Sequence, residues 1–211
     1  MNPAGVATHL GIPSLGNLRL VSRDGHGATP PLGWFGGIYL LSGEIYAVRV
    51  TELPADDGAE RAARALADSG IDHTITRHGR VSSLEEAAAA RGVRPAAVIK
   101  TMVVRRGKGD YLFVLVPGDR EISWPKLRTH LGVNRLSMPD ADKAREVTGY
   151  VRGTITPFGA TTAWPVVADA TMTGHDISIG GGAPGVAATA YADDVIRALG
   201  AQVADVTDPI A

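Results

Sequence analysis

The sequence contains no cysteine among its 211 residues, and this absence excludes two kinds of chemistry. Disulfide bonds and thiolate metal sites both need cysteine sulfur, so neither is available to this fold. The six histidines show no HExxH spacing, and no Gly-x-Ser-x-Gly elbow marks a serine nucleophile. The sequence therefore predicts no metal site and no serine-elbow hydrolase.

Long apolar runs are also missing. A membrane-spanning helix needs about 18 consecutive apolar residues, and the best candidate, 38–48, is interrupted by Ser42, Gly43 and Glu44. The N-terminus lacks the basic start and continuous apolar stretch of a secretory signal. With 45% hydrophobic and 20% charged residues, the composition is that of a globular protein. We therefore expect a cytoplasmic protein that has no membrane partner.

The net charge of −1 conceals an uneven distribution of charge along the chain. Residues 91–130 contain nine Lys and Arg against three acidic residues, whereas residues 160–211 contain one Arg against six Asp. An excess of positive charge in one segment is typical of a surface that faces phosphate groups. The alternative interpretation is an ordinary solvated face, and charge alone does not decide between the two.

The chain divides by composition into two parts. Residues 1–50 are rich in glycine and proline and show no sustained helical or strand period. Such a segment buries too little apolar surface to offset its ordering entropy, so we predict a disordered extension or a segment outside the native domain. Residues 51–211 are predicted to form the functional domain.

Helix and strand signals are dense in residues 51–211. Helices are predicted at Ala59–Ala67, from a Ser82-Ser83-Leu84-Glu85 capping box to Gly92, from Ser123 to Gly132, from Asp140 to Gly149, and at Ala192–Leu199. Strands are predicted at His73–Thr76, Ala97–Val104, Tyr111–Val116, Val151–Ile155, Trp164–Ala168, Asp176–Ile179, Val186–Ala190 and Ala201–Val206. Because helices and strands alternate but hairpins also occur, the pattern favours an α/β fold with a mixed central sheet and flanking helices.

Lys100 is the first candidate for chemistry, because it interrupts a run that otherwise resembles a buried strand. A lysine at such a position either points outward from an edge or places its ammonium group at a cleft. Burial without a partner would cost several kcal/mol. The pattern alone favours the outward-facing lysine.

Two glycine-rich segments are the next candidates. In the first, Gly153 and Gly159 flank a Thr156-Pro157 turn, and backbone N–H groups in such a turn can hold a carbonyl oxygen or an oxyanion. The second runs from Gly180 to Gly185 and matches neither the dinucleotide-binding nor the P-loop spacing. Its nucleotide-binding interpretation is therefore weak, and no cofactor is predicted. An ordinary sheet turn is the alternative for each segment.

Four segments, in this order along the chain, resemble the YbaK/EbsC/ProX family of aminoacyl-tRNA deacylases, relatives of the editing domain of bacterial prolyl-tRNA synthetases. They are Val98–Val104, Thr148–Gly159, Trp164–Asp169 and the glycine segment around Gly181, Gly182 and Gly185. The similarity spans roughly residues 59–208. The lysine strand and the glycine–proline turn are specific in combination, although neither is specific alone.

The resemblance implies an α/β fold with a mixed, partly barrel-like central sheet. It implies hydrolysis of the ester between an amino acid and the 3′-terminal ribose of mischarged tRNA, with a synthetase as a further candidate partner. The family's functional lysine maps onto Lys100. The predicted substrate-binding residues are Thr101, Gly153, Thr156, Pro157, Gly159, Gly180, Gly181 and His78.

Three positions depart from the family pattern. A serine of many relatives corresponds to Gly180, an aspartate falls near Ala187, and a tyrosine aligns roughly with His78. These changes remove polar groups from the expected pocket and leave the amino-acid specificity open. A non-catalytic module that binds aminoacyl-tRNA or a synthetase is therefore the alternative to the enzyme.

Overall fold

The computed structural model describes two short strands near the N-terminus and residues 58–210. The chain forms two compact units, Met1–Ala55 and Asp56–Ala211. In the first unit, β1 (Ile38–Leu41) and β2 (Glu44–Ala47) pair as an antiparallel hairpin. The rest of the predicted extension over residues 1–50 lies outside the described residues, so the predicted domain boundary stays a prediction.

The second unit alternates helices and strands, as its sequence pattern predicts. Its helices, within the described residues, are α1 (Gly58–Asp68), α2 (Leu84–Arg91), α3 (Trp124–Leu131), α4 (Ala141–Thr148) and α5 (Ala192–Leu199). Its strands are β3 (His73–Arg77), β4 (Ile99–Gly107), β5 (Asp110–Pro117), β6 (Arg120–Ile122), β7 (Val166–Asp169), β8 (Asp176–Gly180), β9 (Val186–Tyr191), β10 (Gln202–Ala204) and β11 (Thr207–Pro209). No helix in this described part is long and apolar enough to span a membrane.

The strands form a mixed sheet. Four strands lie in the order β10-β7-β5-β4, with parallel pairing of β10 with β7 and of β7 with β5, and antiparallel pairing of β5 with β4. Three further strands lie in the order β3-β9-β8 and are antiparallel. A parallel bridge between Val98 and Ser178 links the two sheets. The predicted mixed α/β fold is confirmed, but the described strands do not close into a barrel.

The two faces of the four-stranded sheet pack against different helices. Side chains alternate along a strand, so Ile99 and Val103 of β4 join a buried cluster that includes residues of α1, α4 and α5. Val104 lies on the opposite face, in a second buried cluster with Leu127 of α3. The same alternation directs Lys100 to the face of Val104 and Thr101 to the face of Ile99.

Asp169, at the end of β7, is fully buried and joins three strands. One of its carboxylate oxygens accepts hydrogen bonds from the Val206 N–H (3.1 Å) and the Thr207 hydroxyl (2.8 Å). The other accepts from the N–H (3.0 Å) and hydroxyl (2.5 Å) of Thr171. Arg120 of β6 donates to the Thr207 hydroxyl oxygen at 2.5 Å. We call these residues the Asp169 centre. It fixes the paired strands β6 and β11 to the end of β7.

The capping box of α2 lies one residue later than predicted. Ser83, not Ser82, is the N-cap residue, and its hydroxyl oxygen accepts from the Glu86 N–H at 3.1 Å. The Glu86 carboxylate accepts from the Ser82 N–H at 2.7 Å. Because α2 begins at Leu84, the third helical residue is Glu86, and the predicted pairing of Ser82 with Glu85 is wrong.

Several of the predicted strands differ from those in the structure. The predicted strand Val151–Ile155 is wrong, because the segment forms a turn in which the Thr154 N–H donates to the Val151 carbonyl at 3.0 Å. The strand predicted from Ala97 begins instead at Ile99, since Pro95–Ala97 form a 3-10 turn. Near the C-terminus, the strand predicted at Ala201–Val206 forms only as β10, and β11 follows beyond the predicted bounds and pairs with a different strand.

Candidate functional site

A cavity of about 630 Å³ lies beside β4, the edge strand of the four-stranded sheet. It is bounded by β4, the start of α4, the turn at Gly153 and the end of β8 at Gly180. Beyond the bridge at Val98, β4 and β8 have no further pairing in the described residues. The cavity therefore occupies the gap where two neighbouring strands separate, and we call it the β4 cavity.

The β4 cavity brings together four of the residues predicted for the site: Lys100, Thr101, Gly153 and Gly180. They come from three segments that are distant in sequence. Their functional roles stay predictions.

The other predicted positions do not line the β4 cavity; they are His78, Thr156, Pro157, Gly159 and Gly181. Thr156 is fully buried, and its hydroxyl oxygen accepts from the Phe158 N–H. Gly159 packs against the backbone of Arg61, and Gly181 packs against Val186. Any contact of these residues with a ligand stays a prediction.

Lys100 is half-buried and held by backbone oxygens. Its ammonium group donates to the carbonyls of Gly118 (3.0 Å) and Arg120 (2.5 Å). An ammonium has three N–H donors, so one remains without a partner among the described residues. Burial lowers the pKa of Lys100, and the nearby carboxylates of Asp119 and Glu121 partly offset this effect.

Thr101 approaches the β4 cavity from the other side of the strand edge. Its hydroxyl oxygen is buried and has no hydrogen-bond partner among the described residues. Buried hydroxyl groups in folded proteins are nearly always hydrogen-bonded. The hydroxyl is therefore a polar group in the wall whose hydrogen-bonding capacity is unused.

The turn at Gly153 has a conformation that favours glycine. Its φ angle is +91°, and a side-chain carbon added there would meet no atom within 4 Å. The residue is thus conformationally restricted but open on the side where a Cβ would lie. Such an arrangement allows a ligand to approach the backbone closely.

Gly180 allows this turn to pack against the end of β8. A Cβ at position 180 would lie 2.9 Å from the Ile155 carbonyl oxygen and 3.3 Å from that of Thr154. Ala187 lies directly opposite Gly180 in the β8–β9 register. Two of the three departures from the family pattern, Gly180 and Ala187, are therefore neighbours. At Gly180 the close approach of the turn leaves little room for a serine.

Sequence reasoning missed two cations of the β4 cavity, Arg91 and Arg152. Neither pairs with a carboxylate within the described part of the chain. Arg91 is half-buried at the end of α2, and its Nε donates to Nε2 of His78 at 3.3 Å. Burial lowers the pKa of Arg91. Asp140 is the one acidic residue of the lining, and its carboxylate caps α4 by accepting from the Lys143 N–H.

The charge signal in residues 91–130 could have identified part of this arrangement. Both Arg91 and Lys100 belong to that basic segment, whereas Arg152 joins them only through the fold. Three cations and one engaged carboxylate make the β4 cavity attractive to an anionic ligand. The remaining wall is largely apolar, with Ile99, Met102, Val103, Met138, Pro139, Ala141, Ala144 and Ile155.

Within the described residues, no group of three or more His, Asp or Glu side chains is arranged to hold a metal ion.

Comparison with known proteins identifies relatives that match this domain. Residues 78–198 match the family described as the aminoacyl-tRNA editing domain. A proline–tRNA ligase of a Geobacter species is 35% identical over 102 residues, which cover 48% of this chain and 18% of the ligase. The proline–tRNA ligase of Desulforamulus reducens is 39% identical over 75 residues, covering 36% of this chain and 13% of the ligase. This chain thus matches less than a fifth of the length of these relatives.

A solved structure supports the same relationship. The crystal structure of a candidate trans-editing enzyme for prolyl tRNA synthetase superimposes with a TM-score of 0.65 at 26% sequence identity. The match covers 72% of this chain and 97% of the solved chain. The resemblance seen in the lysine strand and the glycine segments is confirmed, and the chain belongs to the family of aminoacyl-tRNA editing domains.

Proposed function

We propose that this protein is a trans-editing hydrolase, and that the β4 cavity receives the aminoacylated 3′-terminal adenosine of mischarged tRNA. The observation that carries the proposal is the convergence of Lys100, Thr101, Gly153 and Gly180 on one cavity. Membership in the editing-domain family supports aminoacyl-tRNA as the substrate class. The cytoplasmic location expected from the sequence agrees with a substrate that takes part in translation.

The reaction is hydrolysis of an activated ester. Water attacks the carbonyl carbon, the bond from this carbon to the ribose oxygen breaks, and the ribose oxygen takes up a proton. Such a reaction needs positioning and stabilisation of the oxyanion more than it needs a protein nucleophile. The hydroxyl group adjacent to the ester on the ribose is available to help activate the water.

Lys100 and the Gly153 turn supply these needs in the proposed mechanism. The third N–H of the Lys100 ammonium orients the terminal phosphate or the ribose and stabilises the developing negative charge. The backbone at Gly153 approaches the substrate carbonyl, because no side chain blocks it. The unused hydroxyl of Thr101 offers a further hydrogen bond.

The apolar wall of the β4 cavity bears on amino-acid specificity. Because Met102, Met138 and Ile155 contribute to this wall, we expect a small uncharged amino acid to fit better than a charged one. A difference of one methylene changes binding by only about 1–3 kcal/mol, so the preference among small amino acids needs measurement.

The test is a deacylation assay with the full chain on tRNA charged with Ala, Cys or Ser, with correctly charged tRNA as the control. We expect at least one mischarged tRNA to lose its amino acid faster than in buffer alone, while the control is spared. Equal rates with and without protein for every mischarged tRNA would overturn the proposed activity.

A non-catalytic binding module is the second candidate, and the absence of polar side chains at Gly180 and Ala187 favours it. Its partner would be aminoacyl-tRNA or a synthetase, and the proline–tRNA ligases among the relatives motivate the latter. Tight binding of a non-hydrolysable aminoacyl-adenosine analogue, together with no turnover of the corresponding ester, would select this candidate.

A further inference from the structure

A second cavity, of about 460 Å³, lies on the outer face of the three-stranded sheet β3-β9-β8. The segment from Arg91 to Ala97 forms one side of it, and the strands form the other. We call it the threonine groove, because Thr74, Thr76 and Thr189 all line it. These threonines are not among the site residues predicted from the sequence, and the proposed catalytic arrangement does not involve them.

The hydroxyl groups of the threonine groove share one face of the sheet. Thr189 lies directly opposite Thr74 on one side and Ser178 on the other, so the three side chains form a row. Their strand neighbours on the opposite face, among them Ala188 and Ile177, belong to the main buried cluster. The register of β3, β9 and β8 therefore places a row of hydroxyl side chains on the outer face of this sheet.

Two hydroxyl groups of this row lack a partner within the described residues. The Thr189 hydroxyl oxygen is buried and forms no hydrogen bond among the described residues, and the same holds for Ser178 behind the groove. Buried hydroxyl groups usually bond to protein or to ordered water. An unsatisfied hydroxyl in the wall of an open groove favours a polar ligand at this position.

The groove adjoins the β4 cavity and carries positive charge. Arg91 lines both cavities, and consecutive residues, Ala97 and Val98, line the threonine groove and the β4 cavity respectively. Arg94 adds a second guanidinium group to the groove, and Asp176 is its one acidic side chain. A guanidinium between two adjoining cavities is well suited to bind a phosphate that connects two ligand groups.

We propose that the threonine groove binds the nucleotide preceding the terminal adenosine of the tRNA, with the connecting phosphodiester at Arg91. The ribose and phosphate oxygens then face the threonine hydroxyls and Arg94, as single-stranded nucleic acid is usually held through its backbone. His175, which also lines the groove, offers a ring for contact with the base. This inference rests on the proposed function.

The experiment compares two minimal substrates that differ by one nucleotide: the alanyl ester of adenosine and the alanyl ester of cytidylyl-adenosine. For the unaltered full chain, the added nucleotide is expected to raise kcat/KM by about tenfold. The ratio between the two substrates is then measured for Arg94→Gln and for Thr189→Val. Both variants are expected to reduce this ratio to about twofold or less, because each removes a groove contact.

Three features of the design keep the result interpretable. Arg94 is exposed and its side chain makes no capping hydrogen bond, and Thr189→Val keeps a β-branched side chain in a strand. The matched control is Arg64→Gln, which removes an exposed arginine from α1, a helix that packs against the opposite face of the same sheet. This control is expected to retain the tenfold ratio.

Binding of the unacylated compounds separates this inference from the proposed function. If neither ester is hydrolysed, the proposed enzyme is wrong, but the ratio of Kd values for adenosine and cytidylyl-adenosine still tests the groove. A smaller ratio of Kd values in both Arg94→Gln and Thr189→Val supports binding of the added nucleotide in the threonine groove. A ratio near one for the unaltered chain, or an unchanged ratio in both variants, overturns it.

Discussion

Two charged residues, Asp169 on β7 and Lys100 on β4, lie in the same four-stranded sheet, and their surroundings differ. Asp169 accepts four hydrogen bonds from three residues, and no part of it is exposed. Lys100 donates to two carbonyl groups, and within the described residues its third N–H has no partner, nor does the hydroxyl of the next residue, Thr101. The first charge is fully satisfied within the protein, whereas the second is satisfied only in part.

The pKa shifts express the same difference. Burial alone would raise the pKa of Asp169, but the hydrogen bonds from Thr171, Thr207 and Val206 outweigh it and lower the pKa. The fold therefore stabilises this carboxylate in its charged form. At Lys100, burial lowers the pKa and so disfavours the charged form. Asp169 thus stabilises the fold, whereas the incomplete hydrogen bonding of Lys100 agrees with the ligand-binding role proposed for it.

The largest expected effect comes from removing the Lys100 charge. Lys100→Met is expected to lower kcat/KM for mischarged tRNA by about 10²–10³-fold, since the proposed mechanism uses this ammonium group to stabilise developing charge. The free energy of unfolding is expected to change by only about 1 kcal/mol, because the loss of two hydrogen bonds is partly offset by removal of a half-buried charge. Steady-state deacylation and urea unfolding measure the two quantities.

Lys108→Met is the control for this change, because Lys108 lies in the exposed turn between β4 and β5. We expect it to leave both quantities unchanged. A Lys100→Met protein that keeps its activity but has a much lower free energy of unfolding would show that Lys100 is structural, like Asp169. This result would contradict the different roles proposed for the two residues.

The second prediction concerns Asp169. Asp169→Asn replaces one acceptor oxygen by a donor amide, so at least one donor of the Asp169 centre loses its partner. We expect the free energy of unfolding to fall by about 2 kcal/mol, while kcat/KM of the folded protein stays within error. Asp205→Asn, at an exposed position bonded to Lys126, is the matched control, and its effect is expected to be below about 1 kcal/mol. Equal effects of the two variants would contradict the role of the Asp169 centre.

The pH dependence of stability tests the sign of the Asp169 shift. A carboxyl group whose pKa is lowered by folding stabilises the protein above its unfolded pKa, and this contribution is lost as pH falls through the folded value. The stability difference between the unaltered chain and Asp169→Asn is therefore expected to be constant near neutral pH. It should shrink as the pH drops below the ordinary aspartate value of 3.8. Urea unfolding at a series of pH values measures the difference, and a difference that grows in acid would reverse the assignment.

The smallest effect is expected at the Gly153 turn. With φ at +91°, an alanine is strained although space is available, and the cost is about 1 kcal/mol. Gly153→Ala is therefore expected to lower kcat/KM less than Lys100→Met does. Gly107→Ala, where φ is not positive and the nearest contact is 3.9 Å away, is the control. An unchanged kcat/KM for Gly153→Ala would show that this turn does not take part in the reaction.

Local signals in the sequence predicted much of the fold. Asp140 and Gly149 mark the ends of α4, and the predicted bounds Ala192–Leu199 of α5 agree with the structure. These predictions succeed because caps and helical periods depend on residues a few positions apart. The segment Val151–Ile155 shows the limit of that reasoning. Its β-branched residues suit a strand, but hydrogen bonds to the Val151 carbonyl and the positive φ of Gly153 make it a turn.

The candidate site was predictable only in part, for a similar reason. Lys100 and Gly153 stood out in the local sequence pattern, the resemblance to a family supplied their expected roles, and the structure brings both to the β4 cavity. Arg91 was missed because an arginine in the last turn of a helix has an ordinary interpretation as a complement to the helix dipole. Its position between two cavities depends on contacts among segments that are far apart in sequence.

The Asp169 centre has a consequence for how the domain is synthesised. The Thr207 hydroxyl, which donates to the Asp169 carboxylate, lies 38 residues after it in the sequence. The ribosome therefore adds this donor later than the acceptor. At about 5–20 residues per second, the interval is roughly 2–8 s. During that time the nascent chain contains Asp169, which is buried in the folded domain, but does not yet contain complete β10 and β11 strands. The four-stranded sheet therefore lacks β10 until residue 204 has been translated, and the Asp169 centre lacks its Thr207 donor until residue 207. A chain that stops at Gly200 should remain open to proteases.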